Sequence, residues 1–267
     1  MLRTVAATRY VTPFREGGSL PGLCEADDDG LYVVKFHGAG QGPKALIAEV
    51  IVGELGRVLG LPVPELVLVE LDARLAAGEP HWEVKELLDR SPGTNLGVDF
   101  LPGALGFAPA VGPAPDPDLA ASFVWLDALT LNVDRTARNP NLLVWHRRLY
   151  GIDHGAALYM QHRWADALGD PEHARRPFPQ VRDHVLLPFA GSLVEADARL
   201  APRATDAVKP RRFRGTFPRR AGGGGHGRRP SRGDGHGTGL RGVRGHRHGE
   251  GPGHVGGVGH RRRPRPR

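Results

Sequence analysis

With 267 residues, 40% of them hydrophobic, the chain is long enough for one two-lobed domain or two small ones. No apolar run reaches the roughly 18 residues of a membrane span, the single cysteine Cys24 excludes an intramolecular disulfide, and the charged start lacks the apolar core of a secretion signal. A cytoplasmic protein with no membrane partner is expected. The net charge of +7 conceals a break: residues 1–208 carry 19 Lys and Arg against 27 Asp and Glu, and residues 209–267 carry 17 against 2.

From the front, residues Thr12 to Lys35 read as a strand, a glycine-bearing loop and a second strand. In that loop Gly17, Gly18 and Ser19, with Gly22 beyond them, would let backbone N–H groups approach a phosphate. The pattern is not G-x-G-x-x-G, so a plain hairpin turn is an equal reading. The strand Leu31-Tyr-Val-Val-Lys35 ends in a lysine among apolar neighbours, placed to meet phosphates or to snorkel to solvent.

Apolar residues at 47, 51, 55 and 58 predict a helix over Ala45 to Leu59, with Pro43 near its start and Gly60 after its end. Glu49 lies off that stripe, with Ala45, Gly53 and Gly56, on a face whose small side chains permit close approach. It is the expected ion-pair partner of Lys35; Glu54 points about 140° away at 100° per residue. Pro62 to Leu71 reads as a strand. A second apolar segment, Val98 to Leu101, ends at Pro102-Gly103, with a hinge expected over Phe100 to Gly103. Phe107 to Pro117 is a Pro- and Ala-rich linker, and Leu119 to Leu131 a helix that delivers the chain into Asp134.

The chemistry concentrates there. Asp134-Arg-Thr-Ala-Arg-Asn139-Pro-Asn141 is followed by an apolar run to Trp145, the polar turn His146-Arg147-Arg148, and a second run to Ile152 before Asp153-His154-Gly155. Phosphoryl transfer needs one carboxylate to take the hydroxyl proton, and an Asn and a second Asp to hold Mg²⁺ against nucleotide phosphates, with five positions from the first Asp to the Asn. Asp134 and Asn139 have that spacing. A hairpin centred on residue 147 returns Asp153 beside Asn139 and Asn141, and these are oxygen donors of the kind Mg²⁺ takes. Arg135 and Arg138 are placed either to offset developing charge, to bind an acidic substrate, or to do neither.

Taken together, Lys35, Glu49, the run Leu59-Gly-Leu-Pro-Val-Pro64, Asp134-Arg-x-x-x-Asn139 and Asp153-His-Gly155 resemble the HipA-like kinase family over about residues 10 to 200. The resemblance implies an α+β, two-lobed protein-kinase-like fold: a small β-rich first lobe with one helix over residues 1–106, and a helical second lobe over 107–208. It further implies a kinase that uses ATP and Mg²⁺ to phosphorylate a hydroxyl, most naturally Ser or Thr of a protein, with a small-molecule hydroxyl as the other substrate class. Lys35 would bind phosphates, Glu49 orient Lys35, Asp134 serve as base, and Asp153 with Asn139 or Asn141 hold the metal. Asn139 has the spacing; Asn141 is the one followed at once by an apolar strand. His154 stands where the better-known motif has Phe, so a Phe-based packing switch is not expected.

After Asp153 about 55 residues of ordinary composition remain, with helix-like spacing at Trp164 to Leu168 and at Val181 to Leu200, interrupted at Pro188. The second lobe therefore reads as truncated, which keeps open a catalytically impaired ATP-binding scaffold. Residues 209–267 contain 18 glycines and almost no large apolar side chains, a composition that cannot offset ordering entropy. Three readings of this segment stand: passive disorder, a nucleic-acid-binding arm without stacking aromatics, or out-of-frame translation of a GC-rich gene.

Overall fold

The computed structural model describes residues 2–14, 20–111, 113–159 and 177–208. The Gly17-Gly18-Ser19 loop, the Trp164 to Leu168 stretch and the basic segment 209–267 lie outside the described residues, so the readings made of them stand as expectations. The described residues belong to one compact unit spanning Met1–Arg212 and form a mixed α and β structure. Among them, no helix is long and apolar enough to cross a membrane.

Five strands close into a barrel in the order β1-β2-β3-β5-β4, from β1 (Thr4–Pro13), β2 (Gly22–Ala26), β3 (Leu31–Lys35), β4 (Leu66–Leu71) and β5 (Gly93–Asp99). The seam is the parallel pairing of Thr4, Val5 and Ala6 with Leu68, Val69 and Glu70; the other ladders are antiparallel. Closure removes the open sheet edges that would otherwise invite strand addition. Alternating residues fill the barrel: Val5, Cys24, Tyr32, Val34, Val67, Val69 and Leu71 are buried. Burial in these apolar surroundings pushes the Cys24 thiol up to about 12.

The sequence reading places one helix in this half. The structure has two: α1 (Gly42–Leu59) and α2 (Trp82–Asp89), with a short 3₁₀ turn over Ala73–Gly78. The second helix is only eight residues long and buries Val84, Leu87 and Leu88 against the barrel core, too few periods for spacing alone to reveal it. Gly22 also moves. It starts β2, where a Cβ would meet the Tyr10 ring.

Helix α1 ends as its sequence predicts, on Gly60 in the left-handed region at φ 86°. Its buried face is the one with small residues. A Cβ on Gly53 would sit 2.8 Å from Leu66, and one on Gly56 3.2–3.3 Å from Val63 and Leu126. Of the apolar repeat that marked the helix only Leu55 packs inward; Ile47, Ile51 and Val58 point the other way, 57%, 51% and 55% exposed.

A second core gathers around α3 (Pro117–Leu129), where Phe123, Leu126, Leu142, Leu149, Leu186 and Leu200 pack together. Asp116 caps α3, its carboxylate accepting from Leu119 N–H at 2.8 Å, with Pro117 pre-set for the first turn. β6 (Leu105–Gly106), β7 (Leu142–Trp145) and β8 (Arg148–Gly151) form a small antiparallel sheet, and β7–β8 is the expected hairpin. His146 and Arg147 both have positive φ, 47° and 63°, the signature of a two-residue type I′ turn. Beyond it, Pro179–Asp183 and Leu187–Phe189 are 3₁₀ turns, and the expected helix begins only at Leu193 as α4 (Leu193–Val208). Ser192 Oγ accepts from Glu195 N–H at its start, which sets the boundary after Pro188 rather than across it.

Candidate functional site

Lys35 stands at the end of β3, paired in register with Leu96 of β5. Its ammonium lies 2.8 Å from Glu49 Oε2 and 2.9 Å from Asp153 Oδ1. Close approach of α1, permitted by Gly53 and Gly56, is what delivers Glu49 there, buried to 2% exposure. Glu54, the competing residue, pairs with Arg57 instead. Burial alone would lower the Lys35 pKa, but Glu49 and Asp153 together hold it above the usual lysine range. Burial would likewise raise Asp153, and Lys35 outweighs it, leaving the carboxyl below its ordinary value. Both members are therefore charged at neutral pH. Lys35, Phe36, Gln41, Ala45, Glu49 and Asp153 border a cleft.

Asp134 occupies the loop after α3. Its Oδ2 accepts from Asn139 Nδ2 at 2.8 Å and from Asn141 Nδ2 at 3.2 Å, so both candidate amides brace the same carboxylate. Asn141 takes a left-handed φ of 49°, and its carbonyl accepts from Ile152 N–H at 3.0 Å. That bond closes the hairpin and sets Asp153, itself at φ 54°, one residue from the pairing. Two non-glycine residues held in this sparsely populated region mark a locally constrained site.

The segment expected to form the hinge is tied down as well. Phe100 N–H donates to Leu31 O at 3.0 Å, and Trp145 Nε1 donates to Pro102 O at 3.0 Å, joining the hairpin to Phe100–Gly103.

Sequence reasoning missed the residues beneath the site. Asp127 of α3 is fully buried, and its carboxylate accepts from Asn132 Nδ2 at 2.9 Å, Arg135 Nε at 2.5 Å and His184 Nε2 at 2.9 Å. Leu186 N–H donates to His184 Nδ1 at 3.1 Å, which leaves Nε2 as the protonated nitrogen facing Asp127. Arg135, 1% exposed, also donates to the carbonyls of Asn141 and Ile152 and, at 3.1 Å, to His154 Nδ1. It is an interior brace, not a group available to transferring phosphate or to a substrate; Arg138 is exposed. Burial would raise Asp127, but Arg135 and His184 hold it below the usual carboxylate range. Burial and then Arg135 push His154 down to about 4. One signal was present: Asp127 is the lone charge in the run Leu119 to Leu131.

The donor set suits a hard cation. Asn139 and Asn141 spend their NH₂ groups on Asp134, and among the described residues neither side-chain carbonyl is engaged in a hydrogen bond. Asp153 gives one oxygen to Lys35 while its side chain stays 52% exposed. Among the described residues, no group of three or more His, Cys, Asp or Glu converges on one point. One carboxylate with amide oxygens is what Mg²⁺ accepts when phosphates and waters complete its shell.

The sequence profile of the family described as HipA-like kinase matches residues 8–171. No curated protein matches the chain. Among solved structures, a crystal structure of a Helicobacter pylori proinflammatory kinase, CtkA, is similar at 15% identity, covering 76% of this chain and 84% of that chain with a TM-score of 0.48.

Proposed function

The chain belongs to the HipA-like kinase family, and from that premise we propose that it transfers the γ-phosphoryl group of Mg-ATP to a hydroxyl, with Ser or Thr of a protein as acceptor. The observation that carries this reading is the meeting of Lys35, Glu49 and Asp153 within 2.9 Å, from a strand, a helix and a hairpin far apart in sequence. Lys35, oriented by Glu49, binds phosphate oxygens. Asp134 uses Oδ2 to receive the two amides and keeps Oδ1 for the acceptor hydroxyl, whose proton it takes as general base. Mg²⁺, when bound, would neutralise charge on the phosphates.

Asp153 would hold that ion together with Asn141, whose backbone is pinned to Ile152 beside Asp153; Asn139, which is exposed, braces the base. The barrel with α1 and the α3 region act as two lobes, meeting near residue 106, with the nucleotide between them and adenine toward Phe100–Gly103. Two apolar cores support that division, and α1 bridges them, its Val52 and Leu59 packing into the core around α3. Catalysis on this scheme comes from positioning and charge stabilisation.

The test is Mg²⁺-dependent phosphate transfer from ATP, autophosphorylation included, by the full chain beside Asp134→Ala. Transfer by the wild type with a loss of at least about a hundredfold in the variant is expected, the scale of a missing general base. Equal activity in both overturns the assignment of Asp134. ATP bound without transfer by the wild type replaces the kinase reading with that of a nucleotide-binding scaffold.

A further inference from the structure

The buried ionic cluster under the site has a layout that packing alone does not require. Asp127 reaches the candidate base by one relay: Asn132 Nδ2 donates to its carboxylate, and Asn132 Oδ1 accepts from the Asp134 backbone N–H at 3.1 Å. It reaches the second carboxylate by another: Arg135, ion-paired to Asp127, donates to the Ile152 carbonyl at 3.2 Å and to His154 Nδ1 at 3.1 Å, the two residues that flank Asp153. The same guanidinium holds the Asn141 carbonyl. On its far side, His184 donates to Asp127 while Val185 N–H donates to the Arg135 carbonyl at 3.0 Å, clamping the loop from the segment before α4.

We infer that Asp127 is a positioning residue for phosphoryl transfer: through Asn132 and Arg135 it fixes the distance between Asp134 and Asp153, the groups that meet the acceptor and the metal. The inference rests on the kinase reading above. Asp127 is 0% exposed and so meets neither nucleotide nor acceptor itself. Buried, hydrogen-bonded carboxylates of this kind hold geometry because each lone pair has a defined partner and any displacement leaves a charge unpaired.

The experiment uses the full chain carrying Asn132→Ala, which cuts only the relay to Asp134, or Arg135→Lys, which keeps a positive charge near Asp127 but not the planar fork that grips Ile152 and His154. Asp127→Asn is the third variant. Steady-state kinetics with Mg-ATP are measured with thermal midpoints. Asn132→Ala is expected to lower kcat at least tenfold with the KM for ATP within about twofold, because Lys35 and Glu49 are untouched. Arg135→Lys is expected to raise the Mg²⁺ concentration for half-maximal rate at least fivefold. Lowered thermal midpoints with wild-type kcat and Mg²⁺ dependence per folded molecule overturn the inference, as does collapse of all three variants into unfolded chain. Wild-type protein that transfers no phosphate in the same assay overturns the kinase reading instead, and this inference with it.

Discussion

The barrel and the α3 region solve the same problem, holding a charged side chain in place, by different means. The barrel core is largely apolar, its buried Asn95 satisfied by backbone groups, and Lys35 and Glu49 pair at its edge. The α3 region builds charge into its middle: Asp127, Arg135, His154 and His184 are all buried among Phe123, Leu126 and Leu186. Function and stability are therefore separable on the first side and entangled on the second. Mutation at the barrel edge is expected to cost activity, whereas mutation in the ionic cluster is expected to cost stability as well as activity.

The sharpest way to break that contrast is Asp127→Ala, which strands Arg135 in the interior. Chemical denaturation should record a loss of about 3–5 kcal/mol, a large part of a domain's total stability; a loss below 1 kcal/mol would mean that water reaches the cluster. Glu49→Gln is the counterpart on the barrel side. It should reduce kcat/KM about a hundredfold, equivalent to about 2.7 kcal/mol, while the thermal midpoint stays within a few degrees. A collapse of the fold in this variant would erase the distinction between the two regions.

Third in size is a pH effect confined to the α3 region. Folded His154 titrates at about 4, against about 6.5 for a free imidazole. Between those values the unfolded chain binds a proton that the folded chain does not, so stability is full above pH 6.5 and falls as the pH drops. Metal-free protein should lose about 2 kcal/mol between pH 7 and pH 5 by this route, and His154→Asn should flatten the profile over that interval. A variant with the wild-type slope would assign the pH dependence to other groups. The smallest effect is expected at Ile51→Gln on the outer face of α1, which should shift stability by less than about 0.5 kcal/mol. A larger loss would show that this ridge is covered.

What was legible in the sequence depends on how far apart along the chain the partners of each contact lie. The segment from Asp134 to Gly155 was readable because a hairpin converts spacing into proximity, and the turn at His146-Arg147 lies where alternation predicts it. Lys35 with Glu49 was readable from strand-then-helix order and from the glycines that share Glu49's face. Helix α1 shows the limit of periodicity: its apolar repeat announced a helix, yet glycine and alanine, not isoleucine, make its tight contacts. Beyond the lone charge at Asp127, the cluster gave no signal, because His184 joins it from 57 residues away with no intervening pattern. The role of Arg135 stayed open for a related reason: its neighbours in sequence are polar loop residues, and only tertiary contacts reveal that it points inward. Barrel closure was beyond reach too, since Thr4 and Leu68 pair across a separation that no local rule spans.

Cys24 turns the contrast between the two regions into something that can be timed. It is the chain's only thiol, it is 1% exposed, and it points into the barrel with its ionisation suppressed. A thiol reagent can reach it only when β2 leaves its neighbours, so the rate of labelling counts barrel openings one molecule at a time. The native protein thus carries its own stopwatch on one side, against which loosening of the other can be compared without introducing a new cysteine.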